Sequence, residues 1–142
     1  MTITAILQSK GHEVTQVRSE DSVLSVVQLL SERRIGCVPV VDDGQVLGVF
    51  SERDLVHQLA REGAAVLERS VGEVMTTPAI TTDDKTPVIH CLSLMTKKRV
   101  RHLPVVVDGR LAGLVSIGDL VKFRIDSIES EAASLRDYIQ SA

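Results

Sequence analysis

Ile35-Gly-Cys-Val-Pro-Val-Val-Asp-Asp-Gly-Gln-Val-Leu-Gly-Val-Phe-Ser-Glu-Arg-Asp-Leu-Val56 is the stretch that decides the fold, because it occurs twice. Shifted by 65 residues it falls on Val100-Arg-His-Leu-Pro-Val-Val-Val-Asp-Gly-Arg-Leu-Ala-Gly-Leu-Val-Ser-Ile-Gly-Asp-Leu-Val121, with ten of 22 positions identical. Half of the others exchange one apolar residue for another. The match marks a duplication, and two copies at so long a period make a pseudo-symmetric pair rather than a solenoid.

Each copy reads the same way. Two apolar strands, Cys37–Val41 with Val46–Phe50 and His102–Val107 with Leu111–Val115, are joined by Asp-Asp-Gly or Asp-Gly, which are tight hairpin signals. A helix opens at Ser51 and again at Ser116, and Gly63 is suited to end the first of these. Upstream, Val23, Val26, Val27 and Leu30 recur at helical spacing, as do Val88, Cys91, Leu92 and Met95. Glu20-Asp21-Ser22 and Asp83-Asp84-Lys85-Thr86-Pro87 supply helix starts, and the charged ends Glu32-Arg33-Arg34 and Lys97-Lys98-Arg99 suit helix C-termini. Short strands are expected before these helices, at Val14–Val17 and Ala79–Thr82. The unit is β-α-β-β-α, an α/β (α+β) fold with residues 1–71 as one repeat and 72–124 as the other. Residues 72–78 form the link, and 125–142 a C-terminal helical extension.

That extension carries Val121, Ile125, Ile128, Ala132, Leu135 and Ile139 at alternating spacings of four and three, a heptad stripe. Packing on its own domain or on a partner chain would both satisfy it.

The 142 residues are 44% hydrophobic but only 2% aromatic, so the core is aliphatic, and β-branched residues suit its strands. A net charge of −3 and the shortage of aromatics argue against nucleic acid as a partner. No apolar run reaches the roughly 18 residues of a membrane span, and Met1-Thr-Ile-Thr-Ala is no signal peptide. Cys37 and Cys91 lie in apolar runs without CxxC spacing and read as reduced thiols in a cytoplasmic protein.

Val-Pro-Val-Val-Asp-x-Gly-x-x-x-Gly-x-x-Ser-x-x-Asp-Leu, present twice after a capped helix, resembles the tandem cystathionine-β-synthase-type (CBS) domain pair, or Bateman module. The resemblance covers nearly all of residues 1–124. It implies two repeats packed as a pseudo-dimer around clefts for AMP, ADP, ATP, NAD(H) or S-adenosylmethionine, and a homodimer of modules acting on a downstream protein partner whose identity is unknown. No catalytic cofactor is implied.

Ser-x-x-Asp suits a nucleotide on chemical grounds. A carboxylate accepts from both hydroxyls of a ribose diol, and a helix start offers free amides to phosphate. The same pattern is an ordinary N-cap. By resemblance, Ser51 and Ser116 contact phosphate or ribose, and Asp54 and Asp119 hold ribose. The adenine slot would use Gly36, Cys37, Val38 and Pro39 with Arg101, His102, Leu103 and Pro104, and Thr15, Val17, Ile80 and Thr81 from the first strands. Arg53 beside Asp54 corresponds to Gly118 beside Asp119. A cleft joining the pre-proline segment of one repeat to Ser-x-x-Asp of the other would gather Arg101, His102 and Arg53 at Asp54 and leave Asp119 without cations. A cleft within one repeat would give each site one Arg. The first arrangement is favoured, and with it unequal sites.

Three rival readings stand beside this one. For an enzyme, the candidate nucleophiles and bases Cys37, Cys91, His12, His57, His90 and His102 fall in no catalytic or metal-ligand spacing. For a nucleic-acid binder, Lys97-Lys98-Arg99-Val100-Arg101 is equally a helix end with favourable cations. A scaffold protein with degenerate clefts is the third.

Overall fold

The computed structural model describes residues 2–141. Helix α1 (Ile3–Lys10) precedes the first repeat, which comprises α2 (Val23–Arg33), β1 (Cys37–Asp42), β2 (Gln45–Ser51) and α3 (Glu52–Glu62). A 3-10 turn at Gly63–Glu68 and the short α4 (Val71–Val74) connect to the second repeat, α5 (Val88–Lys98), β3 (His102–Val107), β4 (Arg110–Ser116) and α6 (Ile117–Ser141).

The duplication survives down to backbone detail. Both hairpins turn on two residues with positive φ, Asp43 and Gly44 at 51° and 79°, Asp108 and Gly109 at 53° and 77°. That is the left-handed turn whose twist matches the flanking strands. Both antiparallel pairs carry a register shift at the same place, Val40/Val41 and Val105/Val106. Both leading helices end on a left-handed arginine, Arg34 and Arg99. Ser22 caps α2 by accepting from the Ser25 amide at 3.1 Å. In the second repeat Asp83 instead ties up its own loop, accepting from the Lys85 amide and the Thr86 hydroxyl, and Pro87 leads into α5 without a side-chain cap.

The short strands expected at Val14–Val17 and Ala79–Thr82 shrink to single parallel bridges, Val17 to Val40 and Thr82 to Val105. Only one residue of each segment lies in register: Val41 donates to the Val17 carbonyl at 2.8 Å and Val106 to that of Thr82 at 2.8 Å.

Each repeat is completed by chain belonging to the approach to the other. Ile3, Ile6 and Leu7 of α1 are buried with Val88, Cys91, Met95, Leu103, Val105, Val115 and Leu120 of the second repeat. Val66, Val71 and Val74, which lead into the second repeat, are buried with Val17, Val23, Val26, Leu30, Val38, Val40 and Phe50 of the first. The segment 72–78 is therefore packed rather than a free tether. The hairpins also touch directly, with the Leu111 amide donating to the Gly44 carbonyl at 3.0 Å.

Helix α6 is continuous through residue 124. Leu120 is buried and Phe123 packs against the second core, whereas almost every later residue is exposed. No helix among the described residues is long and apolar enough to cross a membrane.

Candidate functional site

Ser51 closes β2 and caps α3. Its hydroxyl accepts from the Asp54 amide at 3.3 Å, and Asp54 Oδ2 accepts from the Ser51 amide at 2.9 Å. Ser116 and Asp119 repeat the arrangement at 3.1 Å and 2.9 Å. The capping role of Ser-x-x-Asp is thus realised in both copies, and it points each carboxylate back toward its own hairpin.

The surroundings of the two carboxylates differ. Thr76 donates to Asp54 Oδ1 at 2.8 Å, so both oxygens of Asp54 are engaged. At Asp119 the cap bond and the Lys10 ammonium, 2.5 Å away, both fall on Oδ2, and among the described residues Oδ1 accepts no hydrogen bond. Burial pushes the Asp119 carboxyl up, but Lys10 and the Ser116 amide outweigh it and hold the carboxyl below its usual value. Lys10 Nζ also donates to the Leu114 carbonyl at 2.8 Å, which anchors the segment that crosses β4.

Beside this pair a cleft of about 280 Å³ opens between the repeats. Repeat 1 and its approach contribute Lys10, Glu13, Val14, Thr15, Ile35 and Cys37; repeat 2 contributes His102, Leu114 and Ser116. Cys37 lies opposite Ser51 in its hairpin and His102 opposite Ser116. Each pre-proline segment therefore adjoins its own Ser-x-x-Asp, and the two segments meet across the cleft. Burial, then the nearby Lys10 charge, pushes the His102 imidazole below its usual value, so it is neutral at pH 7. Burial, and secondarily Asp54, pushes the Cys37 thiol up to about 12.

This geometry corrects the expectation that Arg101, His102 and Arg53 gather at Asp54 while Asp119 lacks cations. Cross-strand register holds His102 at Ser116, Lys10 stands on Asp119, and Arg53 and Arg101 are exposed. At the other carboxylate an anion intrudes: the Glu52 carboxylate lies over Gly36 and its amide donates to the Gly36 carbonyl at 3.0 Å. Of the remaining candidates, Thr15 lines the cleft. Val17, Val38, Pro39, Leu103 and Pro104 are buried, while Ile80 packs on the second core. Thr81 and Gly118 are exposed.

Lys10 and Thr76, the residues that distinguish the carboxylates, were not among the sequence candidates. A signal existed: the 65-residue shift sets Lys10-Gly11 on Met75-Thr76, just before each first strand. Neither cysteine is placed as a nucleophile. Cys37 holds its proton and Cys91 is buried beside Thr82 at 3.4 Å. Among the described residues no three His, Cys, Asp or Glu side chains are grouped to hold a metal ion.

The model of the family described as CBS domain matches residues 10–61 and 71–126. The mitochondrial CBS domain-containing protein CBSX3 of Arabidopsis thaliana is 31% identical over 148 residues, covering 98% of this chain and 72% of its own. The crystal structure of a CBS-domain containing protein from Agrobacterium tumefaciens is 41% identical with a TM-score of 0.83, over 87% of this chain and 99% of that one. CBSX2, solved in complex with AMP, is 27% identical with a TM-score of 0.73, over 88% and 96% of the two chains.

Proposed function

The chain belongs to the CBS-domain family, and from that premise we propose that it is a regulatory module that binds one adenine mononucleotide in the cleft beside Asp119. The observation that carries the reading is the pairing of Lys10 with Asp119, whose Oδ1 accepts no hydrogen bond among the described residues, at the mouth of an inter-repeat cleft. A free carboxylate oxygen suits a ribose hydroxyl, and an ammonium suits a phosphate. The apolar wall of Val14, Ile35, Cys37 and Leu114 suits an adenine face, with Thr15 at its edge. The similarity to a CBS protein that binds AMP supports the same ligand class.

The size of the cleft favours a mononucleotide over NAD, since about 280 Å³ lies at the small end of ligand pockets. Lys10 disfavours the cationic sulfonium of S-adenosylmethionine. The second carboxylate, with both oxygens bonded and Glu52 beside it, serves as a helix cap. On binding, Lys10 exchanges Asp119 for phosphate and so moves the crossing segment between α1 and the first repeat. A nucleotide shifts such an equilibrium only by its differential affinity for the two arrangements. A homodimer acting on a downstream protein is the setting in which that movement signals, and two reduced, buried cysteines fit a cytoplasmic one.

Calorimetry with AMP tests this. One site per chain is expected, lost in Asp119→Ala and kept in Asp54→Ala. At a hundredfold excess over Kd the nucleotide stabilises the fold by about 2.7 kcal/mol, which raises the Tm by several degrees. No response to AMP, ADP, ATP or NAD would leave the chain a scaffold.

A further inference from the structure

Beyond Phe123, helix α6 runs on to Ser141 with all of its described residues but Ser127 exposed. So exposed a stretch of helix is marginal in water, because packing of an apolar face supplies most helical stability in proteins. Yet the face is there: Val121, Ile125, Ile128, Leu135 and Ile139 are 41–63% exposed, and Ala132 falls between them on the same stripe.

We propose that this stripe pairs with that of a second copy of the chain as a parallel, in-register two-stranded coiled coil. Charge selects both the occupant and the direction. With Ile125, Ala132 and Ile139 at a, and Val121, Ile128 and Leu135 at d, Arg124 and Glu131 occupy g, and Glu129 and Arg136 occupy e. In a parallel pair each g residue meets the e residue five positions on in the other strand. Arg124 then faces Glu129 of the second copy and Glu131 faces Arg136, opposite charges in both cases and on both sides of the seam. The fully overlapped antiparallel pair sets Lys122 against Arg136 and each of Glu129 and Glu131 against itself. Antiparallel registers slipped by a heptad restore opposite charges but leave two of the six stripe positions unmatched. Only the parallel register satisfies stripe and charges together. The interface does not depend on the nucleotide reading.

Sedimentation of the full chain tests it, with thermal melting to confirm that the repeats stay folded. A dimer is expected that dissociates in Ile128→Asp. Arg124→Glu turns two attractive pairs repulsive and should weaken it about tenfold, and adding Glu129→Arg should restore it. Leu135→Cys should form an intermolecular disulfide between identical positions under mild oxidation, since Cys37 and Cys91 are buried. The proposal is overturned by a monomeric wild type, by a dimer indifferent to Ile128→Asp, by charge swaps without rescue, or by cross-linking only when Leu135→Cys is mixed with Ile125→Cys.

Discussion

Lys10 is the residue on which the functional reading turns: it is partner to Asp119 in the structure, and the proposal makes it partner to phosphate once the nucleotide binds. Its removal separates the two roles. Lys10→Gln should weaken AMP about tenfold, the worth of one charge-assisted hydrogen bond, and leave adenosine nearly unchanged. Equal losses for both would show that Lys10 only shapes the cleft. The same substitution should raise the Asp119 carboxyl toward its usual value, which a carboxyl NMR titration reads directly. Three groups near the cleft also set the pH profile of stability. Asp119 is depressed when folded, so its contribution is present above 3.8 and is lost as pH falls through its folded value. His102 is depressed too, and stability declines as pH falls below 6.5 because the unfolded chain takes the proton first. Cys37 is raised from 9.0 to about 12, so its contribution is lost as pH rises through that window. Cys37→Ala should flatten the alkaline limb of Tm against pH; a wild type and variant that decline in parallel from pH 9 to 11 would contradict the assignment.

The elements show where the duplication is exact in form and where it is not. Gly48 and Gly113 occupy equivalent places in β2 and β4, both where the crossing segment meets the hairpin. A Cβ on Gly48 would lie 2.5 Å from the Thr76 carbonyl oxygen and 2.8 Å from Met75 Sδ, whereas on Gly113 it would meet Leu7 Cδ2 at 2.6 Å. Backbone held by two bridging hydrogen bonds to Val49 yields less than a leucine side chain. Gly48→Ala should therefore cost about 2–3 kcal/mol and Gly113→Ala about 1–2, measured by denaturant unfolding. The hairpins, their turns and the helices between them were legible in the sequence, because Asp-Gly turns and apolar periodicity are local signals. The first strands were legible only as positions, since a single bridge leaves no alternating pattern. Helix α1 is too short to stand out by periodicity, and its apolar residues answer to a core 80 positions downstream. The same holds for the site: Ser51, Asp54, Ser116 and Asp119 announce themselves by repetition, whereas the 65-residue shift marks only the place of Lys10, and its contact with Asp119 is a matter of tertiary packing.

At the scale of the whole molecule, the crossed packing predicts that the two repeats unfold as one cooperative unit. Repeat 2 takes α1 into its core and repeat 1 takes the turn and helix around Val66, Val71 and Val74, so neither repeat buries its apolar face with its own elements alone. Leu7 is the most telling point of attack, being 1% exposed, packed on Gly113, and three residues from Lys10 at the cleft. Leu7→Ala opens a cavity in the second core and should cost about 2–5 kcal/mol. Because the lost contacts belong to the strap that also carries Lys10, the loss should reach the first repeat. Unfolding followed at probes in each repeat should move to lower denaturant together and remain a single transition. Two separated transitions, with the first repeat unmoved, would show that the strap merely lies on the second core. The coupling would then have to run through the hairpin contact at Gly44 and Leu111 instead. A single transition would give the nucleotide a mechanical route, because a ligand that draws on Lys10 acts on a segment whose displacement both repeats resist.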